Sequence, residues 1–172
     1  KIELAKEAVY QATLGLSQRD QVGLVVFDDQ AETILPLQQL PSVVAIEQAL
    51  GRFNAAGGTD ILPGLQTAAN AIINANTKIK HIILMTDGLA PSNYSQLVTQ
   101  LREAGVTIST VAIGSDANPN LEDIAKEGGG RYYKVEDASQ IPRIFLQETV
   151  IVAGRDRARS AGDGSGMASD GF

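Results

Sequence analysis

The sequence predicts an α/β protein built on a doubly wound, mostly parallel sheet, with one antiparallel edge strand and helices on both faces. Three observations carry that reading. From Asp60 onward, short apolar runs alternate with amphipathic helical patterns across short loops, which is the pattern of right-handed crossover units. Two of those runs, residues 81–86 and 107–113, are apolar nearly throughout rather than at every second position, as strands covered on both faces must be. Upstream, two β-prone runs flank Asp28-Asp29 and read as a hairpin, the antiparallel element of the sheet.

Each element follows from local chemistry. From Ile2, the positions Leu4, Ala5, Ala8, Val9, Ala12 and Leu16 keep helical spacing, and Gly15 with Ser17 closes that segment. Residues 21–27 form a strand, Asp28-Asp29 a turn, and residues 32–37 a second strand, the hairpin ending at Pro36. Pro41-Ser42 opens a helix through Ala49. The loop with Gly57 and Gly58 follows, and Asp60 caps a helix whose inner face carries Leu62, Leu65, Ala68, Ala69, Ile72 and Ile73. Pro63 falls in its first turn, where a missing N–H costs nothing. Beyond the 81–86 strand, residues 94–104 are helical with Gly105 as the stop, and the 107–113 strand ends at Gly114. Residues 119–126 make a short helix, 131–135 an edge strand and 138–148 a last helix. The predicted organisation is one domain over residues 1–150 and a disordered or low-complexity tail over 151–172. From Gly154 onward, glycine, serine, alanine and scattered charge offer too little apolar surface to offset ordering entropy.

Bulk composition removes several function classes. The chain has 172 residues, 44% of them hydrophobic, enough for a sizeable core. A formal net charge of −6 with no long basic block argues against nucleic acid or an anionic membrane surface as the main partner. No cysteine occurs, so disulfides, thiolate catalysis and zinc-thiolate sites are excluded. No apolar run approaches the roughly 20 residues of a spanning helix, so this segment itself makes no membrane contact. The chain starts inside a helical pattern at Lys1, and the expectation is a segment of a longer protein whose membrane anchor would lie elsewhere.

Two oxygen-bearing loops stand out. Ile82-Ile83-Leu84-Met85-Thr86 stops abruptly at Asp87-Gly88, and parallel sheets place their ligands beyond strand carboxyl ends. Gly57-Gly58-Thr59-Asp60 sets a hydroxyl and a carboxylate before a helix. Together they suggest a hard-cation site. Bland readings compete at each position: Asp87 as a turn residue, Thr59 as a cap, Asp60 as the helix cap, and Asp28 and Asp29 as turn residues. His81, the sole histidine, reads as a surface residue, and Tyr132 and Tyr133 as edge-strand packing.

The order of these pieces resembles the von Willebrand factor type A domain, in the form found in large bacterial membrane-associated proteins. The matching residues are Lys1-Ile2-Glu3-Leu4-Ala5-Lys6, Asp20-Gln21-Val22-Gly23 leading to Phe27-Asp28-Asp29, Gly57-Gly58-Thr59-Asp60, Thr86-Asp87-Gly88, Val111-Ala112-Ile113-Gly114 and Gly128-Gly129-Gly130-Arg131-Tyr132-Tyr133. The resemblance spans residues 1 to 150. It implies a Rossmann-like fold and a metal-ion-dependent adhesion site holding Mg²⁺ or Mn²⁺ on three loops. The second-loop threonine corresponds to Thr59 and the third-loop aspartate to Asp87, with Gly57, Gly58, Asp60 and Gly88 as loop support. The first-loop motif, DxSxS, would lie before Lys1, together with the central first strand that carries it. Asp163-Gly164-Ser165-Gly166-Met167 is similar to that motif with one serine lost, making Asp163 and Ser165 secondary candidates in a permuted chain, although residues 154–162 before them do not read as a core strand. Thr149-Val150-Ile151-Val152-Ala153 is the spare β-prone run, and the expectation is that it either fills the central slot or leaves the segment unstable alone.

The implied function is a metal-dependent protein-binding module of a larger bacterial protein, its cation bridging to a partner's acidic side chain, with the site incomplete in these residues and no bond made or broken. The alternatives are a Mg²⁺-dependent phosphoryl-transfer or hydrolase domain, which lacks a GxxxxGK[ST] phosphate cradle here, and a structural spacer with a non-functional site.

Overall fold

The computed structural model describes residues 2–27, 30–52, 60–86, 93–114 and 119–162. Helix α1 (Ile2–Leu14) leads into strands β1 (Gln21–Phe27) and β2 (Ala31–Gln39), followed by α2 (Val43–Gly51) and α3 (Ile61–Ile72). Then β3 (Lys80–Thr86), α4 (Ser95–Glu103), β4 (Val106–Ile113), α5 (Asn120–Glu127) and β5 (Gly129–Val135) alternate, and a short 3₁₀ turn (Ala138–Gln140) opens α6 (Ile141–Gly162). The predicted fold class stands: β3, β4 and β5 are parallel, and β1 with β2 supplies the antiparallel element.

Caps explain the element starts. The Ser42 hydroxyl accepts the Ala45 N–H at 3.2 Å and begins α2; the Asp60 carboxylate accepts the Leu62 N–H at 3.0 Å and begins α3. Gly105, at φ +81°, supplies the left-handed residue that ends α4 and turns the chain into β4.

Packing divides into three clusters. On one face of β3–β5, Ile61 and Leu65 of α3, Leu97, Val98 and Leu101 of α4, and Leu121 and Ile124 of α5 enclose Leu84, Ile108 and Ala112. On the other face, Ala8 of α1 and Ile141 and Phe145 of α6 cover Val111 and Val135, with Ile83 and Met85 packed alongside. A smaller cluster, Ile34, Ile46 and Leu50, joins α2 to the β1–β2 ribbon, and Val9 of α1 reaches it.

Two expectations need correction. Pro36 lies inside β2, which runs on to Gln39; β2 pairs only with β1 among the described residues, and an edge strand can spare the donor that proline lacks. The spare run 149–153 fills no strand slot but lies within α6, where Thr149, Val152 and Ala153 are buried. Tertiary packing of that face outweighs the β-preference of a Thr-Val-Ile-Val sequence. Helix α6 passes through residue 150 without interruption and ends at Gly162. Once the packed half of a helix exists, adding residues costs little, and the arginines and alanines of 155–161 are good helix formers. Residues 163–172 lie outside the described residues.

Candidate functional site

Helix α3 runs against the direction of β3. The Lys80 ammonium, at the start of β3, donates to the Ile73 carbonyl at the end of α3, 2.7 Å away. The first turn of α3 therefore lies toward the carboxyl end of β3, where Thr86 closes the strand in a buried position. At that rim Asp60 is exposed and its carboxylate is engaged as the α3 cap. Phe27, the last residue of β1, meets the same turn, since a Cβ on Gly64 would come within 2.5 Å of its ring. Of the sequence-based candidates, only Asp60 is described. Gly57, Gly58, Thr59, Asp87, Gly88, Asp163 and Ser165 lie outside the described residues, as do Asp28 and Asp29. Among the described residues no group of three or more His, Asp or Glu side chains is arranged to hold a metal ion.

A second polar cluster sits at the opposite end of β3. Glu148 of α6 is fully buried, and its carboxylate gathers partners from three strands. Arg131 of β5 donates through Nε to Oε2 at 2.7 Å and through Nη2 to Oε1 at 2.6 Å, a bidentate pair. The Tyr133 hydroxyl donates to Oε2 at 2.6 Å, and Ser109 of β4 donates to Oε1 while accepting the Arg131 N–H at 2.9 Å. Burial would push the Glu148 carboxyl up, but the close His81 ring and donation from Arg131, Ser109 and Tyr133 outweigh it and hold the group far below the usual carboxylate range. The same contacts raise the Arg131 guanidinium, through its hydrogen bond to Glu148 first, whereas Tyr133 is raised chiefly by burial.

His81 corrects the surface reading. Its side chain is 2% exposed, Nδ1 lies 2.6 Å from Thr107 Oγ1, and Nε2 lies 3.1 Å from Glu148 Oε1 without hydrogen-bond alignment. The period-2 pattern held the signal: His81 shares a face of β3 with Ile83 and Met85, which pack inward. Glu148 likewise interrupts an apolar helical row with Phe145 and Val152, and a carboxylate in such a row calls for a buried donor. Chemically the cluster is a tie. Both carboxylate oxygens are saturated and the Ser109 hydroxyl faces the carboxylate, so no base is presented to a nucleophile there.

The fold defines a doubly wound α/β domain in which α3 starts toward the carboxyl end of β3. The chain belongs to the von Willebrand factor type A domain family, whose model matches residues 1–147. The uncharacterized protein sll0103 of Synechocystis sp. is 30% identical over 151 residues, covering 82% of this chain and 36% of that protein. Calcium-activated chloride channel regulator 1 of Bos taurus is 32% identical over 129 residues, covering 72% of this chain and 14% of that protein. The chain thus spans a minor part of these relatives' length. Among solved structures, a von Willebrand factor type A protein from Catenulispora acidiphila superposes with TM-score 0.79 at 27% identity, over 87% of this chain and 38% of that one. Two others show the fold alone: an aerotolerance-related membrane protein of Bacteroides fragilis (TM-score 0.69, 20% identity, 86% and 87% coverage) and proximal thread matrix protein 1 of the mussel byssus with a zinc-occupied MIDAS motif (TM-score 0.73, 21% identity, 87% and 40% coverage). Domains of this family are protein-interaction modules, and no described helix is long and apolar enough to cross a membrane.

Proposed function

We propose that this chain is a metal-dependent protein-binding module of a larger, membrane-associated bacterial protein, in which Thr59 and Asp87 hold a divalent cation that bridges to an acidic side chain of a partner protein. One observation carries the reading: Asp60, next in sequence after Thr59, and Thr86, next before Asp87, belong to the same rim of the sheet, because α3 and β3 run in opposite directions. A hydroxyl and a carboxylate are hard oxygen donors suited to Mg²⁺ or Mn²⁺, and Gly57, Gly58 and Gly88 would let the loop backbones approach the ion. A mussel protein of the same fold carries a zinc-occupied MIDAS motif, which supports a cation-binding reading. The buried end of the sheet, with its saturated carboxylate, offers no competing center. Two protein donors leave most of an octahedral shell to water, so affinity for the ion alone is weak, with a dissociation constant on the order of millimolar.

Titration with Mn²⁺, followed by water-proton relaxation enhancement, tests this directly. Binding that saturates in the millimolar range and disappears in Asp87→Ala and Thr59→Ala supports the proposal. Equal Mn²⁺ binding by the parent chain and by both variants removes it.

A further inference from the structure

Helices α4 and α5 pack against each other on one face of the sheet, with Leu97, Val98 and Leu101 of α4 and Leu121 and Ile124 of α5 in one apolar cluster. The outer side of α5 is acidic. Glu122, Asp123 and Glu127 are exposed there, and Asp123 and Glu127 stand one helical turn apart, close enough to share one ligand. Among the described residues no ion pair holds any of these three carboxylates. Lys126 is exposed on the same helix without pairing to them, and Arg102, at the end of α4, lies against the start of β5, where a Cβ on Gly129 would come within 2.5 Å of its Nη1.

Tyr94 adds a third acceptor to that side. The residue leads into α4 and is only 6% exposed, in the same cluster as Leu97 and Leu121. Its hydroxyl makes no hydrogen bond among the described residues. Yet the one fully buried side-chain nitrogen or oxygen without a partner among them is His81 Nε2, so the Tyr94 oxygen is the part of that residue that meets solvent. It emerges beside α5, since burial chiefly, and then the charges of Glu127 and Asp123, raise the phenol. Tyr132 of β5 repeats the arrangement toward Glu122, its ring partly buried and its phenol raised by burial first and by that carboxylate second. A phenol raised in this way stays protonated at neutral pH, and its oxygen is a neutral acceptor next to anionic ones.

We propose that the seam between α4 and α5 is a docking site for a basic segment of a partner protein, with an arginine side chain received by the carboxylates of Asp123 and Glu127 and the hydroxyl oxygen of Tyr94. The donor set selects the ligand. Two unpaired carboxylates and a phenol oxygen offer lone pairs to a group that only donates, and a planar fork of five N–H groups can serve oxygens on two elements at once. An acidic segment or a nucleic-acid phosphate is repelled by the same carboxylates. The Tyr94 ring is held in the core, so its oxygen is already in place and little side-chain freedom is lost when a ligand arrives. Neither Thr59 nor Asp87 takes part, and the site is independent of the cation reading.

The probe is a short peptide in which arginine alternates with glycine, and its control carries citrulline at each arginine, which keeps the shape and removes the charge. Binding to the full chain is followed through its amide and tyrosine NMR signals. Saturable binding of the arginine peptide, with shifts centered on Tyr94 and residues 120–127 and none from the citrulline peptide, supports the site. A formal net charge of −6 attracts any basic peptide weakly, so location must be separated from charge. Asp123→Asn combined with Glu127→Gln should weaken affinity about tenfold, whereas Glu32→Gln combined with Glu47→Gln, the same charge removed from exposed positions of the ribbon half, should change it less than about twofold. Tyr94→Phe should lose about threefold in affinity at an unchanged thermal midpoint, because the deleted hydroxyl has no partner inside the protein. Absence of binding, equal binding of the citrulline peptide, or equal weakening by the two double variants overturns the docking site. Parent affinity in Tyr94→Phe, or a lowered midpoint, overturns the role given to that hydroxyl.

Discussion

The three-stranded half of the molecule and the two-stranded ribbon are built from similar residues and reach different depths of burial. In the first, β4 has a strand on each side and helices above and below, and Val106, Ile108, Val111 and Ala112 are fully buried. In the second, Leu24 and Val26 of β1 remain half-buried although α1 and α3 both reach the ribbon, and its own cluster has only Ile34, Ile46 and Leu50 at full depth. Apolar content does not separate them: Val-Gly-Leu-Val-Val-Phe is no less apolar than Val-Thr-Ile-Ser-Thr-Val-Ala-Ile. Burial in a sheet is set by neighbors in the plane as much as by the layers, and among the described residues β1 has a strand on one side only.

The largest difference between the halves should come from Glu148, which ties α6 to β3, β4 and β5 and has no counterpart among the described residues of the ribbon. Glu148→Ala leaves the Arg131 guanidinium, the Tyr133 and Ser109 hydroxyls and His81 facing a void. Breaking a buried pair from one side is costly, so urea denaturation should report a loss of about 4 kcal/mol, enough to unfold a marginal domain. A loss below about 1 kcal/mol would show that the cluster is solvated and that the tie is not what anchors α6. Core truncation comes next. Ile108→Ala, in the doubly paired strand region, should cost about 3 kcal/mol, and Ile46→Ala, in the shallow ribbon cluster, about 2 kcal/mol. Equal costs would erase the distinction drawn between the halves.

What could be read in the sequence divides along the same line. Local chemistry was legible: the Asp60 cap, the Gly105 stop and the strand ending at Gly114 all sit where turn and cap preferences place them, since each depends on a few adjacent residues. The apolar runs of β3 and β4 announced strands covered on both faces for the same reason. Long-range pairing was not legible. His81 and Glu148 are 67 positions apart, and nothing local to the histidine says that a helix carboxylate will lie against it. Helix α6 runs past residue 150 although residues 154–162 carry no large apolar side chain, and the packing that starts it, at Ile141 and Phe145, lies well upstream. For the candidate site, the strand-end rule placed the flanks of both loops at one rim, and Asp60 and Thr86 are found there; the ligand residues themselves fall outside the described residues.

Acid provides a milder probe of the same tie. The folded-state pKa of Glu148 is depressed below the ordinary 4.5, so its contribution is complete above that value. As pH falls below about 4.5 the unfolded carboxyl takes up a proton first, and stability is lost progressively toward strongly acidic pH. The slope owed to this one group approaches about 1.4 kcal/mol per pH unit, and Glu148→Gln should remove it from a series of denaturation curves between neutral and acidic pH. An unchanged slope in the variant would assign the acid sensitivity to other carboxylates.

The smallest effect belongs to the ribbon half and bears on how its helix is held. The Ser42 hydroxyl accepts the Ala45 N–H at the start of α2, and the helix then places only Ile46, Ala49 and Leu50 in the core while Val43 and Val44 stay exposed. A nine-residue helix is too short to be stable alone, so capping and those three side chains share the work. Ser42→Ala should cost about 1 kcal/mol globally. In the ribbon, where the cluster is shallow, the loss should also appear locally, as faster amide exchange confined to α2 while α4 and α5, packed in the deeper half, keep their protection. Uniform acceleration across all three helices would mean that the ribbon and the three-stranded sheet open as one cooperative unit, and that the α1 and α3 contacts spanning them carry more coupling than the divided sheet suggests.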